Sequence, residues 1–339
     1  VTVIEARGLT KVFRRADKPP GLAASVRHLV RPRYAEHTAV AGIDLSIGAG
    51  EAVAYVGPNG AGKSTTVKML TGIVHPTAGE IRVCGLDPHR NRHANARNIG
   101  VLFGQRTQLW WDLPVRDSLA LLRDIYRIPE RRYRARLDEL EPVLGLAGLL
   151  PVLARKLSLG QRMRADLAAA LLHDPRVVYL DEPTIGLDVT ARDAMRGFLR
   201  DLRRTGTTLM ITTHDLGDIE EVCDRIVILD AGRIIYDGPV TAIKDRLARD
   251  RAVHFTLADA CPGVDLSTDL PGSRTVAGED ERRVSVVFDR FVHGAGDVLA
   301  AMARHARVVD LSIDEPSIDD VVRRVYAGAI GDALPDRVR

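Results

Sequence analysis

The nine residues Gly57-Pro58-Asn59-Gly60-Ala61-Gly62-Lys63-Ser64-Thr65 constrain this chain more than any others. An apolar run, Ala52-Val53-Ala54-Tyr55-Val56, precedes them and reads as a buried strand. Thr66-Val67-Lys68-Met69-Leu70 follows and reads as the start of a helix. Strand, G-x-x-x-x-G-K-S turn and helix together make a phosphate-binding loop. Glycines let successive backbone N–H groups converge on one point, and the helix adds the positive end of its dipole. Lys63 supplies a point charge for the β- and γ-phosphates, and the Ser64 hydroxyl is placed to ligate Mg²⁺. Residues Gly57 to Thr66 form the predicted phosphate-binding set, with Thr66 at its helical end.

A phosphate loop alone says only that a nucleotide binds. A second element narrows the chemistry: Val177-Val178-Tyr179-Leu180 is a buried-strand pattern that ends in Asp181-Glu182. In a parallel sheet such an acid emerges beside the phosphate loop. Asp181 can then hold Mg²⁺ through water, and Glu182 is a candidate to polarise an attacking water.

The rest of the 339-residue chain sets limits on what surrounds these motifs. Length allows one large domain and a small one. A net charge of +3 does not suit a strong polyanion binder, so no nucleic-acid partner is expected. Cys84, Cys223 and Cys261 are far apart, which excludes common zinc spacings and fits a reducing compartment. No apolar run approaches the ~20 residues that span a bilayer, and the first residues do not read as a signal peptide. The chain is therefore expected in the cytosol, reaching a membrane through a partner.

In chain order, Val1 to Phe13 reads as a strand, a break at Gly8 and a second extended piece. Phe13 is either a stacking platform for a base or a core aromatic. Residues 14–37 read as an insertion. Within it Leu22, Val26, Leu29 and Val30 share one helical face, either a basic amphipathic helix or a solvated loop. Strands are predicted at Val40–Ile47, Gly79–Val83, Arg97–Phe103, Arg176–Leu180, Thr207–Thr212, Ile226–Leu229 and Arg233–Tyr236. Residues 106–165 read as a helical subdomain inserted into the sheet, with helices at Val115–Leu122 and Glu130–Leu144 and a further one at Arg162–Leu172. A charged helical linker, Ala242–Arg251, leads to a small α+β domain at 252–328 and a tail at 329–339. There strands are expected at Val253–Leu257, Val284–Phe288 and Val308–Ile313, and helices at Phe291–His305 and Ser317–Tyr326.

The first domain, 1–245, resembles the ATP-binding subunit of an ABC transporter. Six pieces stand in that family's order. They are the phosphate loop, the Gln105 loop, the signature Leu157-Ser158-Leu159-Gly160-Gln161, the acid pair, Gly186-Leu187-Asp188 of the D-loop, and His214 of the switch loop. The resemblance implies an α/β P-loop NTPase fold: a mostly parallel sheet, an antiparallel β subdomain and an inserted helical subdomain. It implies ATP and Mg²⁺, with ATP held between two such domains head to tail. On one side stand Lys63, Ser64 and Thr65; across the interface stand Ser158 and the Gly160 backbone. Glu182 would be the general base, His214 would contact the γ-phosphate, Gln105 would sense Mg²⁺ and the attacking water, and Asp188 would reach across the dimer. Phe13 matches the adenine-stacking aromatic. Leu159 departs from the family's glycine and adds bulk where the partner's ATP approaches.

A finer resemblance is to ABC-2-type exporter ATPases, including viologen-exporter-like systems. It rests on Gly104 to Pro114 and on Glu315 to Val321. Trp110 and Trp111 either receive a membrane partner's coupling helix or form a packed pair. The implied partners are transmembrane permease chains and a second ATP-binding subunit, a homodimer, on the cytoplasmic side of the membrane. A soluble ABC ATPase acting on ribosomes or DNA is a competing reading, as is an importer. The first is disfavoured by a single phosphate loop, no long coiled coil between Lys63 and Asp181, and no zinc cysteines. A GTPase would need an N/T-K-x-D motif after the loop, which is absent.

Overall fold

A computed structural model describes residues 1–16, 34–104, 106–213, 215–247, 250–278 and 280–314. Gln105 and His214, residues 17–33 of the expected insertion, the Glu315 to Val321 motif, the Ser317–Tyr326 helix and the 329–339 tail lie outside the described residues. The chain divides into two compact units, Val1–Gly238 and Pro239–Arg339.

In the first unit, β1 (Thr2–Ala16) runs antiparallel to β2 (Tyr34–Gly48) and to β4 (Ala78–Val83), giving a sheet of order β2-β1-β4. β1 is not broken at Gly8 as expected. It continues through a register shift between Ala6 and Leu9, where the extra residues are absorbed as a bulge. The two strands also extend into both ends of the expected 14–37 insertion, pairing Arg14 with Glu36 and Ala16 with Tyr34. Cross-strand pairing overrides the charge-rich local sequence there.

The second sheet has the order β5-β6-β7-β3-β8-β9. Its strands are β3 (Ala52–Val56), β5 (Ile99–Phe103), β6 (Val177–Asp181), β7 (Thr208–Thr212), β8 (Arg225–Asp230) and β9 (Arg233–Pro239). Its core pairings β5/β6, β6/β7, β7/β3 and β3/β8 are all parallel. Every residue of β3 and β7 is buried, which explains their unbroken apolar runs: both faces are covered. One apolar cluster joins the two sheets, with Ile4, Leu9, Ile43 and Ile47 from the antiparallel sheet meeting Tyr55, Tyr179, Met210 and Leu229.

Seven α-helices accompany these strands among the described residues, the last of them α7 (Leu216–Val222) after β7. α1 (Lys63–Leu70) follows the phosphate loop and α2 (Arg92–Asn98) precedes β5. The expected strand at Arg97–Phe103 thus begins at Ile99, its first two residues closing α2. α3 (Val115–Tyr126), α4 (Glu130–Leu144) and α5 (Leu159–Leu171) come from the segment between β5 and β6. Gly145 adopts the left-handed conformation that ends α4, and Arg164 on α5 donates to the Leu144 carbonyl at 3.2 Å. α6 (Val189–Arg204) buries Met195, Phe198, Leu199 and Leu202, spaced as one apolar face; it was not foreseen in the sequence.

In the second unit, a helix α8 (Val240–Leu247) precedes β10 (Asp250–Leu257), so the expected helical linker 242–251 is helix as far as Leu247 and already strand at Asp250. The sheet has the order β11-β12-β10-β13, all antiparallel, with β11 (Arg274–Ala277), β12 (Arg283–Asp289) and β13 (Val308–Asp314). Val253, Phe255, Val284, Val286 and Phe288 pack on Val298, Ala301 and Met302 of α9 (Ala295–His305). His254 bridges Ser285 at 2.7 Å and Asp314 at 2.9 Å across three neighbouring strands.

Candidate functional site

The site forms where β3, β6 and β7 end. β7 lies between the other two, so the strand carrying the phosphate loop and the strand carrying the acid pair are one strand apart. The register sets Asp181 opposite Thr212, and the Thr212 hydroxyl donates to Asp181 Oδ1. The Glu182 N–H donates to the Thr212 carbonyl at 2.8 Å. Glu182 itself has φ 54°, a left-handed backbone unusual for a side chain of its size. That turn takes the chain out of the sheet directly after Asp181.

The phosphate loop keeps its shape by close backbone approach. A Cβ on Gly57 would lie 2.7 Å from the Leu229 carbonyl oxygen, and one on Gly62 would lie 2.3 Å from that of Ala39. Gly62 has φ 103° and stands at the N-cap of α1. A Cβ on Gly60, φ 87°, meets nothing within 4 Å, so that side of the loop is open. Lys63 donates to the carbonyl oxygens of Gly57 at 2.5 Å and Pro58 at 3.1 Å. Burial pushes the Lys63 ammonium below its usual range, while the charges of Glu182 and Asp181 oppose that shift. Lys63 and both acids thus act on one another across the strand ends. Thr66 is fully buried, its hydroxyl accepting from Tyr55 at 3.2 Å and donating to the Gly62 carbonyl at 3.1 Å. Its side chain braces the loop from within.

A hydroxyl at Ser64, a carboxylate at Asp181 and an open glycine cradle make a hard-oxygen, phosphate-facing set that suits Mg²⁺ with a nucleoside triphosphate. The chain before Gln105 is pinned to the same place: the Gly104 N–H donates to the Asp181 carbonyl at 3.1 Å, and a Cβ on Gly104 would come within 2.7 Å of that oxygen. Phe13 is partly exposed on β1, with Lys11 Nζ 5.1 Å from its ring centroid.

The signature stands at the start of α5. Ser158 is the N-cap: its hydroxyl accepts from the Gln161 N–H at 3.2 Å, and the Gln161 side chain accepts from the Ser158 N–H at 2.9 Å. Asp188 caps α6 in the same manner, accepting from the Ala191 N–H at 2.8 Å. Signature and D-loop interlock within the subunit. A Cβ on Gly186, φ 70°, would lie 2.4 Å from Leu159 Cδ2, and one on Gly160 would lie 3.1 Å from Leu187 Cδ2. The Leu159 side chain therefore rests on the D-loop. Gly186→Ala is expected to displace that contact and lower ATP turnover several-fold. Adding Leu159→Ala should restore part of it, leaving the left-handed backbone cost of roughly 1–2 kcal/mol. Steady-state rates of both variants check this.

Two further groups escaped the sequence reading. Asp218 lies on α7 (Leu216–Val222) and is 2 % exposed. Its Oδ2 accepts from the Thr184 hydroxyl and, at 3.2 Å, from that of Thr213, while Oδ1 accepts from Arg196 Nε at 2.7 Å. The exits of β6 and β7 are thereby fastened to one buried carboxylate. The other is Asp166 in the middle of α5. An acid immediately before the apolar run Leu167-Ala168-Ala169-Ala170-Leu171 was the available signal for it. Thr212 could have been found as the strand-end residue opposite Asp181, but only with the strand order known.

This arrangement suits a nucleoside triphosphate. A family model described as ABC transporter matches residues 40–185. The chain belongs to the ABC transporter ATP-binding family and carries its ATPase fold. It is 36% identical over 290 residues to the Daunorubicin resistance ATP-binding protein DrrA3 of Streptomyces coeruleorubidus, covering 85% of this chain and 91% of that one. It is 40% identical over 215 residues to the Nod factor export ATP-binding protein I of Burkholderia orbicola, covering 63% and 70%. It is also 36% identical over 208 residues to the Methionine import ATP-binding protein MetN of Geobacillus kaustophilus, covering 60% of each. Among solved structures, the ATP binding subunit of an ABC transporter superposes with a TM-score of 0.60 at 26% identity, over 72% of this chain and 92% of that one. A dimeric bacterial ABC transporter cassette gives 0.59 at 25%, over 70% and 98%. No helix among the described residues is long and apolar enough to cross a membrane.

Proposed function

We propose that this chain is the ATP-hydrolysing subunit of an ABC-2-type exporter. Two copies close around ATP on the cytoplasmic face of the membrane, and separate transmembrane permease chains carry the cargo. The observation that carries the ATPase half is the convergence of Lys63, Asp181 and Glu182 at neighbouring strand ends. The similarity to a drug-resistance ATP-binding protein along 85% of the chain supports export. The similarity to an import protein keeps an importer ATPase as the second reading.

Within the proposed site, the loop amides, Lys63 and Thr65 bind and orient the phosphates. When bound, Mg²⁺ would be held by Ser64, by Asp181 through water, and by Gln105, and would offset charge on the phosphoryl oxygens. Glu182 takes the proton of the attacking water, and His214 holds the γ-phosphate in line. Ser158 and the Gly160 N–H, at the positive end of α5, meet the γ-phosphate of the partner copy's ATP. Asp188 reaches across the same interface, and Phe13 stacks on the adenine. In this reading Val1 to Asp245 is the ATP-binding domain and residues 252–328 are an accessory domain.

Sandwiched ATP requires two copies, so specific turnover should rise with protein concentration until dimers saturate. A rate per subunit that stays flat from nanomolar to micromolar protein would overturn the sandwich. Direction is tested in inside-out vesicles carrying this subunit and the membrane chains that co-purify with it. ATP-driven cargo accumulation inside them means export, and ATP-driven loss means import.

A further inference from the structure

We propose that Asp166 is a positioning residue that locks the segment following Gln105 to the helix whose first turn carries Ser158. The two parts that meet different ATP molecules in the dimer would then move as one body. The inference rests on the proposed ATP sandwich.

Asp166 is 3 % exposed, in the interior of α5 between the buried Ala165 and Leu167. Its Oδ1 accepts from the Gln108 N–H at 2.7 Å and from the Thr107 hydroxyl at 2.9 Å. The Thr107 oxygen in turn accepts from the Leu109 N–H at 3.1 Å, and Gln108 Nε2 donates to the Val101 carbonyl on β5 at 2.6 Å. Trp110 N–H donates to the buried Ser118 hydroxyl on α3 at 3.1 Å. The arm 107–110 is thus strapped to β5, α3 and α5, and only the strap to α5 depends on a charge. Thr107 stands two residues beyond Gln105. Asp166 stands eight residues beyond Ser158, about 12 Å along the same helix. A single carboxylate therefore joins the Gln105 segment to the signature.

The same geometry is a poor device for stability. Burial lifts the Asp166 carboxyl to about 6, against the lowering effects of the Gln108 amide, the Thr107 hydroxyl, the Arg162 charge and the Leu109 amide. Arg162 lies one turn earlier on α5 with its guanidinium 5.7 Å from the centre of the Trp111 ring. The 107–109 arm presents only neutral donors. Because the folded value lies above the unfolded one near 3.9, the stability this group contributes is fully present below pH 4 and is lost as pH rises through 6. A charge kept at a cost to the fold, and gripping a functional segment, points to a working role. Charge-assisted hydrogen bonds are roughly twice as strong as neutral ones, so the grip weakens when the carboxyl is protonated.

The test uses the full chain with Mg²⁺ and ATP between pH 5.5 and 8. Wild-type kcat should fall on acidification with an inflection near 6. Asp166→Asn should lower kcat about fivefold at pH 7.5, leave KM for ATP within about twofold, and abolish that inflection. Its Tm at pH 7.5 should stay level or rise, which loss of an ordinary structural contact would not give. Thr107→Val, which leaves the acid in place, should lower kcat similarly, and the double variant should be no worse than either single one. Wild-type kcat with an unchanged pH profile in Asp166→Asn overturns the proposal. So does a multiplicative loss in the double variant. If Asp166→Asn does not fold, Thr107→Val decides alone: unchanged kcat refutes the tie. Failure of the sandwich itself reads differently, as wild-type turnover that ignores protein concentration.

Discussion

Glu182→Gln should stop steady ATP turnover, lowering kcat by about 10²- to 10⁴-fold, the range that a positioned general base contributes. Glutamine matches glutamate in size and keeps the same backbone N–H for the Thr212 carbonyl, so the turn after β6 is retained. Only the proton-accepting charge goes. The phosphate loop, Lys63 and Asp181 are untouched, so ATP still binds and dimers outlast those of wild type. Turnover, nucleotide binding and size distribution with ATP present measure the three parts separately. Undiminished hydrolysis would remove Glu182 from the role of base.

Gly62→Ala should abolish nucleotide binding rather than slow chemistry. Two costs combine. At φ 103° an alanine is strained, and its Cβ would lie 2.3 Å from the Ala39 carbonyl oxygen and 3.3 Å from Val40 Cγ2. Ala39 is itself the extra residue at a register shift in β2, but it is held on both sides, since Thr38 pairs with Val12 and Val40 with Lys11 on β1. The loop must move instead, and Gly62 is the N-cap of α1, whose carbonyl accepts from the Thr66 N–H at 2.9 Å. Shifting it turns the first-turn N–H groups and Lys63 away from the phosphate. Affinity for ATP should fall at least a hundredfold by equilibrium titration. Gly60→Ala is the contrast: φ is also positive, but its Cβ meets nothing within 4 Å, so most affinity should survive.

Much of the site was legible because its chemistry is local. The spacing of Gly57, Gly62, Lys63 and Ser64 encodes a turn that curls on itself, and a five-residue apolar strand must deliver Asp181 to its end. The Ser158–Gln161 cap is equally local, a helix start satisfied by residues three apart, although the sequence reading began that helix only at Arg162. Of the elements that sequence reading missed, α2 and β11 lack that local punctuation. α6 and α7 do carry it, with Asp188 and Asp215 as N-caps and, on α6, Met195, Phe198, Leu199 and Leu202 spaced for one helical face; those signals were passed over. Arg14–Ala16 and Tyr34–His37 look like loop until cross-strand partners claim them.

By itself the sequence determined the phosphate loop, the acid pair and the alternation of strand and helix, since each follows from backbone geometry within a few residues. The tertiary structure alone decided the strand order that places Thr212 against Asp181, the rest of Leu159 on Gly186, and the convergence of Thr184, Thr213 and Arg196 on Asp218. It likewise decided the grip of Asp166 on Thr107 and Gln108. These contacts join residues from five to about sixty positions apart. Hydrogen bonds and close packing depend on distance in space, and no local pattern encodes which distant segments fall within 3 Å of one another.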